Sequence, residues 1–136
     1  MYNLIPQKLI RLAQSLQKPL YVVGGACRDF IAGLKGENCD WDICAPVRAE
    51  EFSAAAERAG FKVSAVFKNT GTVRMSADGY DFEYACFRTD RYVRGEHSPT
   101  EVYFTEDITA DACRRDFKCN AVYYDIKARD FVDPLG

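Results

Sequence analysis

The sequence predicts one α+β domain in which helices back a mixed β-sheet. The chain has 136 residues, of which 48% are hydrophobic, and this suits one compact core. Strand and helix patterns mix along the chain without the strict βαβ alternation that builds an all-parallel sheet. There is no repeat, low-complexity segment or internal linker. Residues 1–136 are therefore interpreted as a single domain.

The first elements are a helix, a short strand and a second helix. Leu9, Leu12 and Leu16 recur at helical spacing, and Pro19 follows where this helix should have ended. The segment PLYVVGG then has the pattern of a short buried strand that runs into a turn. A second helical pattern covers residues 28–34, and GLKGEN ends it.

The middle of the chain predicts a helix followed by strands. Residues 48–59 place Phe52 and three alanines on one helical stripe, with Gly60 as the left-handed stop. FKVSAVF alternates like a strand, and TVRMSADGYDFEYACF reads as a hairpin around an Asp-Gly turn. Residues 88–100 are charged and contain Gly95 and Pro99, which predicts a mobile loop.

The last elements are short. VYF predicts a brief strand, and TADACRRDF a helix with Thr109 as its N-cap. NAVYYD and DFVD predict two closing strands, joined by a turn at IKAR.

Charge and hydropathy limit the classes of function. The net charge is −2, whereas domains that bind nucleic acid over a broad surface carry a basic face, so any nucleic-acid contact should be local. No apolar run approaches the length of a membrane span, and the N-terminus lacks the apolar segment of a secretory signal. We expect a soluble, cytoplasmic protein that does not bind membranes.

The six cysteines are scattered through apolar segments without CxxC spacing, which predicts small buried thiols rather than a disulfide framework. The single histidine, His97, lies in a polar segment, so the sequence argues against a structural zinc site.

Two carboxylates interrupt the buried strand CDWDICAP at residues 39–46. Strand alternation places Asp40 and Asp42 on one face, roughly 7 Å apart, and Trp41 and Ile43 on the other. The two carboxylates can converge on one Mg²⁺ ion or a close pair of ions. An isolated DxD is, however, more often the solvated face of an edge strand. A third carboxylate, Glu83, lies on the hairpin strand and could complete the metal shell, although an ordinary exposed glutamate is common on a strand.

Two further motifs have the chemistry of phosphate binding. In GGACRD, residues 24–29, free backbone N–H groups and Arg28 suit phosphate oxygens, although a plain glycine turn explains the pattern equally well. Adjacent Arg114 and Arg115 could neutralise a triphosphate or clamp a ribose, but alone they fit a solvated helix end better.

Six segments in order, LYVVGGACRD, CDWDI, TGTVRM, FEYACFR, DACRRDFKCNAVYYD and FVDPLG, resemble the head domain of the class II tRNA nucleotidyltransferase and bacterial poly(A) polymerase family. The resemblance spans residues 20–136. It implies the fold of DNA polymerase beta-like nucleotidyltransferases, a mixed, twisted sheet backed by helices.

The resemblance also implies roles for individual residues. Asp40 and Asp42 would be catalytic and bind Mg²⁺, two ions in all, with Glu83 as the third catalytic carboxylate. The implied nucleotide-binding residues are Gly24, Gly25, Arg28, Arg114, Arg115, Asp116 and Asn120.

The activity implied is transfer of CMP or AMP from CTP or ATP to an RNA 3′ end, first of all CCA addition to tRNA. Poly(A) polymerase, a partial CC- or A-adding enzyme, and a catalytically silent nucleotide-binding module that needs a partner chain remain alternatives. In this family the neck, body and tail that hold tRNA lie beyond the head, and this sequence ends at DPLG. The segment from Thr89 to Thr100 is interpreted as a loop that affects specificity or as an idle surface loop.

Overall fold

The computed structural model describes residues 1–31, 33, 40–91, 101–115 and 122–135. A short 3₁₀ turn at Tyr2–Leu4 precedes the first helix. The helices are α1 (Gln7–Ser15), α2 (Gly25–Ile31), α3 (Ala49–Arg58) and α4 (Ile108–Cys113). The strands are β1 (Tyr21–Val23), β2 (Asp40–Ala45), β3 (Lys62–Phe67), β4 (Thr72–Ala77), β5 (Tyr80–Cys86), β6 (Arg88–Arg91), β7 (Glu101–Phe104), β8 (Tyr123–Asp125) and β9 (Asp130–Val132).

Seven of these strands form one sheet in the order β3-β4-β5-β2-β1-β8-β9. β2 and β5 are parallel, and the other neighbours in this sheet are antiparallel. β6 and β7 pair with each other in a separate two-stranded sheet. The predicted α+β class with a mixed sheet is confirmed, and β2 lies at its centre.

The main core lies on the sheet face that α1 and α3 cover. The ring of Phe52 on α3 stacks on Tyr84 of β5 with centroids 3.6 Å apart. The Tyr84 hydroxyl donates to the carbonyls of Ala45, at 3.0 Å, and Val47. Because buried carbonyls without a donor cost about 1–3 kcal/mol, these bonds fix the turn from β2 into α3. Trp41 and Ile43 belong to the same core, as their alternation predicted.

The structure confirms several predicted elements, including a glycine that ends a helix and a hairpin turn. Leu9 and Leu12 are buried on α1, and Gly60 has a left-handed φ of 93° directly after α3. Asp78 and Gly79 both have positive φ, at 53° and 84°, as a type I′ hairpin turn requires.

Three predictions of local structure are wrong. α2 begins at Gly25 rather than at residue 28, because the helix starts directly after the glycine turn. Residues 88–91 form β6 instead of a loop, since pairing with β7 outweighs their charged composition, whereas residues 92–100 lie outside the described part of the chain. The N-cap of α4 is Asp107, whose carboxylate accepts from the backbone N–H of Thr109 at 2.9 Å.

The cysteines agree only in part with their prediction as buried thiols. Cys27, Cys44 and Cys86 are buried and unbridged, whereas Cys113 is exposed. Cys39 and Cys119 lie outside the described residues. Within the described ranges, no helix has the length and apolarity needed to cross a membrane.

Candidate functional site

The two aspartates of β2 open onto the sheet face opposite the main core. Asp40 and Asp42 are exposed, while Trp41 between them is 3% exposed. β2 has β5 on one side and β1 on the other, so it is a central strand. The alternative interpretation of this DxD is therefore wrong in placing it on an edge strand, although its face is solvated.

The adjacent strand β5 adds two more carboxylates to the same face. Parallel pairing places Asp81 beside Asp40 and Glu83 beside Asp42. The pKa of Asp42 is raised, first by partial desolvation and then by the negative charge of Glu83; Arg115 acts in the opposite direction, and Asp40 adds a smaller upward effect. Of the two carboxylates on β5, Glu83 is thus the one that raises the pKa of Asp42.

These carboxylates suit a hard cation. Among the residues that the structure describes, Asp40, Asp42 and Glu83 have no hydrogen-bond or ion-pair partner. Mg²⁺ prefers oxygen ligands such as carboxylates, and these carboxylates have no other counter-charge in contact with them in the described structure. In the described part of the chain the acidic, cysteine and histidine side chains do not form a ready-made cluster of three ligands, so a metal ion would have to draw these carboxylates together.

The glycine turn after β1 is in close contact with the second aspartate. Gly24 has a left-handed φ of 78°, and a Cβ added to it would lie 2.9 Å from Oδ2 of Asp42. Glycine is therefore required here both by the backbone conformation and by the carboxylate. Gly25 is the first residue of α2. Arg28 lies in the same helix, but its side chain is outside the described part of the structure.

The two arginines of the RRD motif are held by a buried carboxylate that sequence reasoning missed. Asp111 on α4 is 0% exposed. Its Oδ1 accepts from Nε of Arg114 and from the backbone N–H of Arg88, both at 3.1 Å. Its Oδ2 accepts from Nη2 of Arg115 at 3.2 Å and from the Tyr123 hydroxyl at 2.6 Å. Charge-assisted hydrogen bonds to the Asp111 carboxylate thus fix the positions of both guanidinium groups.

Arg115 belongs to this buried cluster and acts electrostatically on Asp42 of β2. Burial lowers its pKa, but Cys44, Asp111 and Tyr123 outweigh that effect, and the net shift is upward. The guanidinium is therefore charged at neutral pH, and among the described residues it is the cation that lowers the pKa of Asp42.

Two predicted nucleotide-binding residues, Asp116 and Asn120, lie outside the described residues. Apart from Arg28, whose side chain is not described, the structure places the others near β2, with Asp40, Asp42 and Glu83 on the sheet, Gly24 and Gly25 at the turn beside Asp42, and the two arginines at the end of α4. The only sequence signal for Asp111 was its position three and four residues before two arginines on a helix, a spacing that also occurs on solvated surfaces.

An open cavity of about 580 Å³ lies over this sheet face. Its lining includes Asp40, Asp42 and Glu83. It also extends away from β1, over β5, β4 and β3, where Arg74 and Lys62 contribute side chains. The volume is in the range of small-molecule sites.

Comparison with known proteins gives one family. The sequence matches the family described as "Poly A polymerase head domain" over residues 20–136. The CCA-adding enzyme of Bacillus pumilus is 34% identical over 116 residues, which are 85% of this chain and 27% of that protein. The mitochondrial CCA tRNA nucleotidyltransferase 1 of Danio rerio is 31% identical over 125 residues, 89% of this chain and 28% of that protein.

Solved structures agree with these matches. The Bacillus stearothermophilus CCA-adding enzyme in complex with CTP superposes with a TM-score of 0.73 at 30% identity, over 96% of this chain and 30% of that one. A tRNA nucleotidyltransferase complexed with a primer tRNA and an incoming ATP analog has the same fold, with a TM-score of 0.66 at 24% identity over 94% of this chain and 34% of that one. The chain thus spans about 30% of the length of the relatives that it matches.

Proposed function

Because the chain belongs to the poly A polymerase head domain family, we propose that it is the catalytic head of a nucleotidyltransferase that adds CMP and AMP to the 3′ end of tRNA. CTP and ATP would be its nucleotide substrates. The observation that carries the proposal is the grouping of the carboxylates of β2 and β5, the glycine turn and the arginines of α4 around one strand.

The reaction forms one bond and breaks another. The 3′-hydroxyl oxygen of the RNA bonds to the α-phosphorus of the nucleotide, the bond from that phosphorus to the bridging oxygen of the β-phosphate breaks, and pyrophosphate leaves with the electron pair. The hydroxyl proton is lost to solvent or to a carboxylate. Two Mg²⁺ ions, held by Asp40 and Asp42 with Glu83, would supply charge neutralisation and activation of the hydroxyl.

The residues of this chain orient the reactants. Arg114 and Arg115 are both fixed by Asp111, and Arg115, which lowers the pKa of Asp42, would supply positive charge where a triphosphate needs it. Gly24 leaves space for the Asp42 carboxylate and exposes backbone close to it. Such preorganised groups stabilise the developing charge without moving during the reaction.

Poly(A) addition is the second candidate, because the matched family is described by that activity. It uses the same chemistry with ATP alone. The length of product formed on a tRNA that lacks its 3′-terminal nucleotides distinguishes the two, since CCA addition stops after a fixed number of nucleotides and poly(A) addition continues.

Calorimetric titration of the chain with CTP and with ATP, with and without Mg²⁺, tests the proposal. We expect Mg²⁺-dependent binding that the double variant Asp40→Ala/Asp42→Ala loses while keeping its far-UV circular dichroism. Asp78→Ala, which removes an exposed carboxylate in the β4–β5 turn, is the control for charge. Binding that is independent of Mg²⁺, or that survives in the double variant, would contradict the assigned site.

A further inference from the structure

Two rows of polar side chains cross four strands on the open face of the sheet. One row runs from Asp40 through Asp81 and Ser76 to Lys62, each residue paired in register with the next. The parallel row begins with Asp42, Glu83 and Arg74. It ends at Ser64, whose hydroxyl donates to the Arg74 carbonyl at 3.1 Å beside an irregularity in β3. We call the four residues on β3 and β4 the outer strip: Lys62, Ser64, Arg74 and Ser76.

The charge changes sign along these rows. The residues on β2 and β5 are carboxylates, whereas the outer strip carries two cations and two hydroxyls. Lys62 and Arg74 are exposed, and the side chain of neither has a hydrogen-bond or ion-pair partner among the residues that the structure describes. Arg74 faces Glu83 in the register and still forms no ion pair with it. Both cations line the same cavity as Asp40 and Asp42. The Arg74 guanidinium lies 5.9 Å from the centroid of the Phe67 ring, a contact that leaves its N–H groups able to donate to an anion.

The sheet order separates the outer strip from the groups proposed to hold the nucleotide. Gly24 follows β1, on one side of β2, and Arg115 packs its guanidinium over Tyr123 of β8, beyond β1 on that same side. The outer strip lies on the other side of β2. An in-line displacement needs the attacking and the leaving groups on opposite sides of the α-phosphorus. The second substrate therefore approaches from the side of β5, β4 and β3.

That substrate is an RNA strand in the proposed function. β3 is three strand spacings, roughly 14 Å, from β2. Stacked nucleotides rise by roughly 3.4 Å each along a strand, so several phosphates fit between the carboxylates and the edge of the sheet. Lysine, arginine and serine are the side chains that contact phosphate and sugar oxygens in nucleic-acid complexes.

We propose that the outer strip binds the sugar–phosphate backbone of the acceptor RNA next to its 3′ end and directs the terminal hydroxyl toward Asp40 and Asp42. The proposal rests on the proposed function for the identity of the strand. The contact is to backbone, so it positions the RNA without selecting its sequence. The contact is local, as a net charge of −2 predicts for any nucleic-acid contact of this chain.

The test uses a short single-stranded RNA that ends in CC, labelled at its 5′ end, and fluorescence anisotropy at low salt. We expect the unchanged chain to bind it and Lys62→Ala/Arg74→Ala to bind about ten-fold more weakly. Loss of two phosphate contacts on a single strand should also reduce the slope of log K against log salt by about 1.4. Arg11→Ala/Arg58→Ala is the matched control, because it removes two exposed cations from α1 and α3, on the opposite side of the sheet.

The same variants are titrated with CTP and Mg²⁺, which separates this proposal from the proposed function. CTP binding that is unchanged in Lys62→Ala/Arg74→Ala, together with weaker RNA binding, supports the outer strip. No RNA binding by the unchanged chain, or an equal loss in the control variant, overturns it. RNA binding that depends on Lys62 and Arg74 in a chain that never binds CTP would refute the proposed function and retain the RNA contact.

Discussion

Asp42 carries a charge that its surroundings in the free protein disfavour. Desolvation and the neighbouring Glu83 raise its pKa, so the folded state binds this proton more tightly than the unfolded chain does. The resulting destabilisation of the fold is absent at pH values well below the ordinary aspartate pKa of 3.8, and it is fully present at pH values above the pKa in the folded state. Such a penalty is typical of a residue retained for binding rather than for stability.

Asp42→Asn should therefore raise the free energy of unfolding slightly at pH 7.5, and the gain should vanish at pH 3. Urea denaturation of both proteins at the two pH values measures this difference. Addition of Mg²⁺ with CTP should make the unchanged protein more stable than the variant, because only the unchanged protein gains stability from the bound ligands. A variant that is less stable at neutral pH would show that Asp42 has a structural role.

Gly24 links the backbone of the turn to the position of the Asp42 carboxylate. Gly24→Ala should cost about 1 kcal/mol for the left-handed φ and should also displace Oδ2 of Asp42, weakening Mg²⁺-dependent nucleotide binding at least ten-fold. Gly79→Ala is the matched control, since Gly79 has a φ of 84° and no heavy atom within 4 Å of the added Cβ. Urea denaturation should show similar losses in both variants, and calorimetry should show the binding defect in Gly24→Ala alone. Equal binding by the two variants would contradict this assignment.

Asp111 acts through the arginines that it holds. Asp111→Asn leaves Arg114 and Arg115 without the buried counter-charge, so we expect a loss of about 3 kcal/mol in the free energy of unfolding. CTP binding should also weaken at a temperature where the variant is fully folded. Asp107→Asn makes the same chemical change on the exposed cap of this helix, where asparagine caps equally well, and should change neither quantity. Unaltered CTP affinity in folded Asp111→Asn would limit Asp111 to a structural role.

At the scale of elements, Phe104 is one of the residues that attach the β6–β7 hairpin to the main sheet. The Phe104 ring packs so closely against Gly71 that a Cβ added to Gly71 would lie 2.5 Å from Cε1 of the ring. The Arg48 guanidinium covers the same ring, 4.1 Å from its centroid. Backbone bonds add to the attachment, with the N–H of Thr105 donating to the carbonyl of Phe87 at 3.1 Å. The Phe104 ring and these hydrogen bonds thus help to hold the hairpin on the main sheet.

Phe104→Ala should therefore loosen the hairpin before the rest of the domain. We expect a cost of about 2 kcal/mol, roughly half that of removing a fully buried phenylalanine, because Phe104 is half-buried. Hydrogen exchange should lose protection at the amides of β6 and β7 and retain it in β2 and β5. Phe67→Ala, at a side chain that is 48% exposed, provides the control. Uniform loss of protection over the whole sheet would show that the hairpin is part of the global folding unit.

Over the whole molecule, the sequence predicted local patterns well and long-range pairing poorly. The alternation of Trp41 and Ile43 with the aspartates predicted the buried and open faces of β2, because that pattern depends only on strand geometry. The parallel pairing of β2 with β5 was not predictable, since no local signal marks which distant strands pair. β6 was missed because pairing with β7 overrides its charged composition. Asp111 was missed because its role depends on Tyr123 and Arg88, which only the tertiary fold brings to it.

The whole-molecule prediction follows from the position of the single tryptophan in this fold. Trp41 lies on the central strand, and its core includes residues of α1, α3 and strands β1 to β5. Since that cluster crosses most of the sheet, Trp41 fluorescence and far-UV circular dichroism should report one coincident unfolding transition in urea. Mg²⁺ and CTP together, at a hundred times their dissociation constant, should shift both signals equally, by about 2.7 kcal/mol. Asp40→Ala/Asp42→Ala should show the coincident transition without the shift. A fluorescence transition that precedes the circular dichroism change would mean that β2 separates from the sheet early, and the site would then have to form on binding rather than before it.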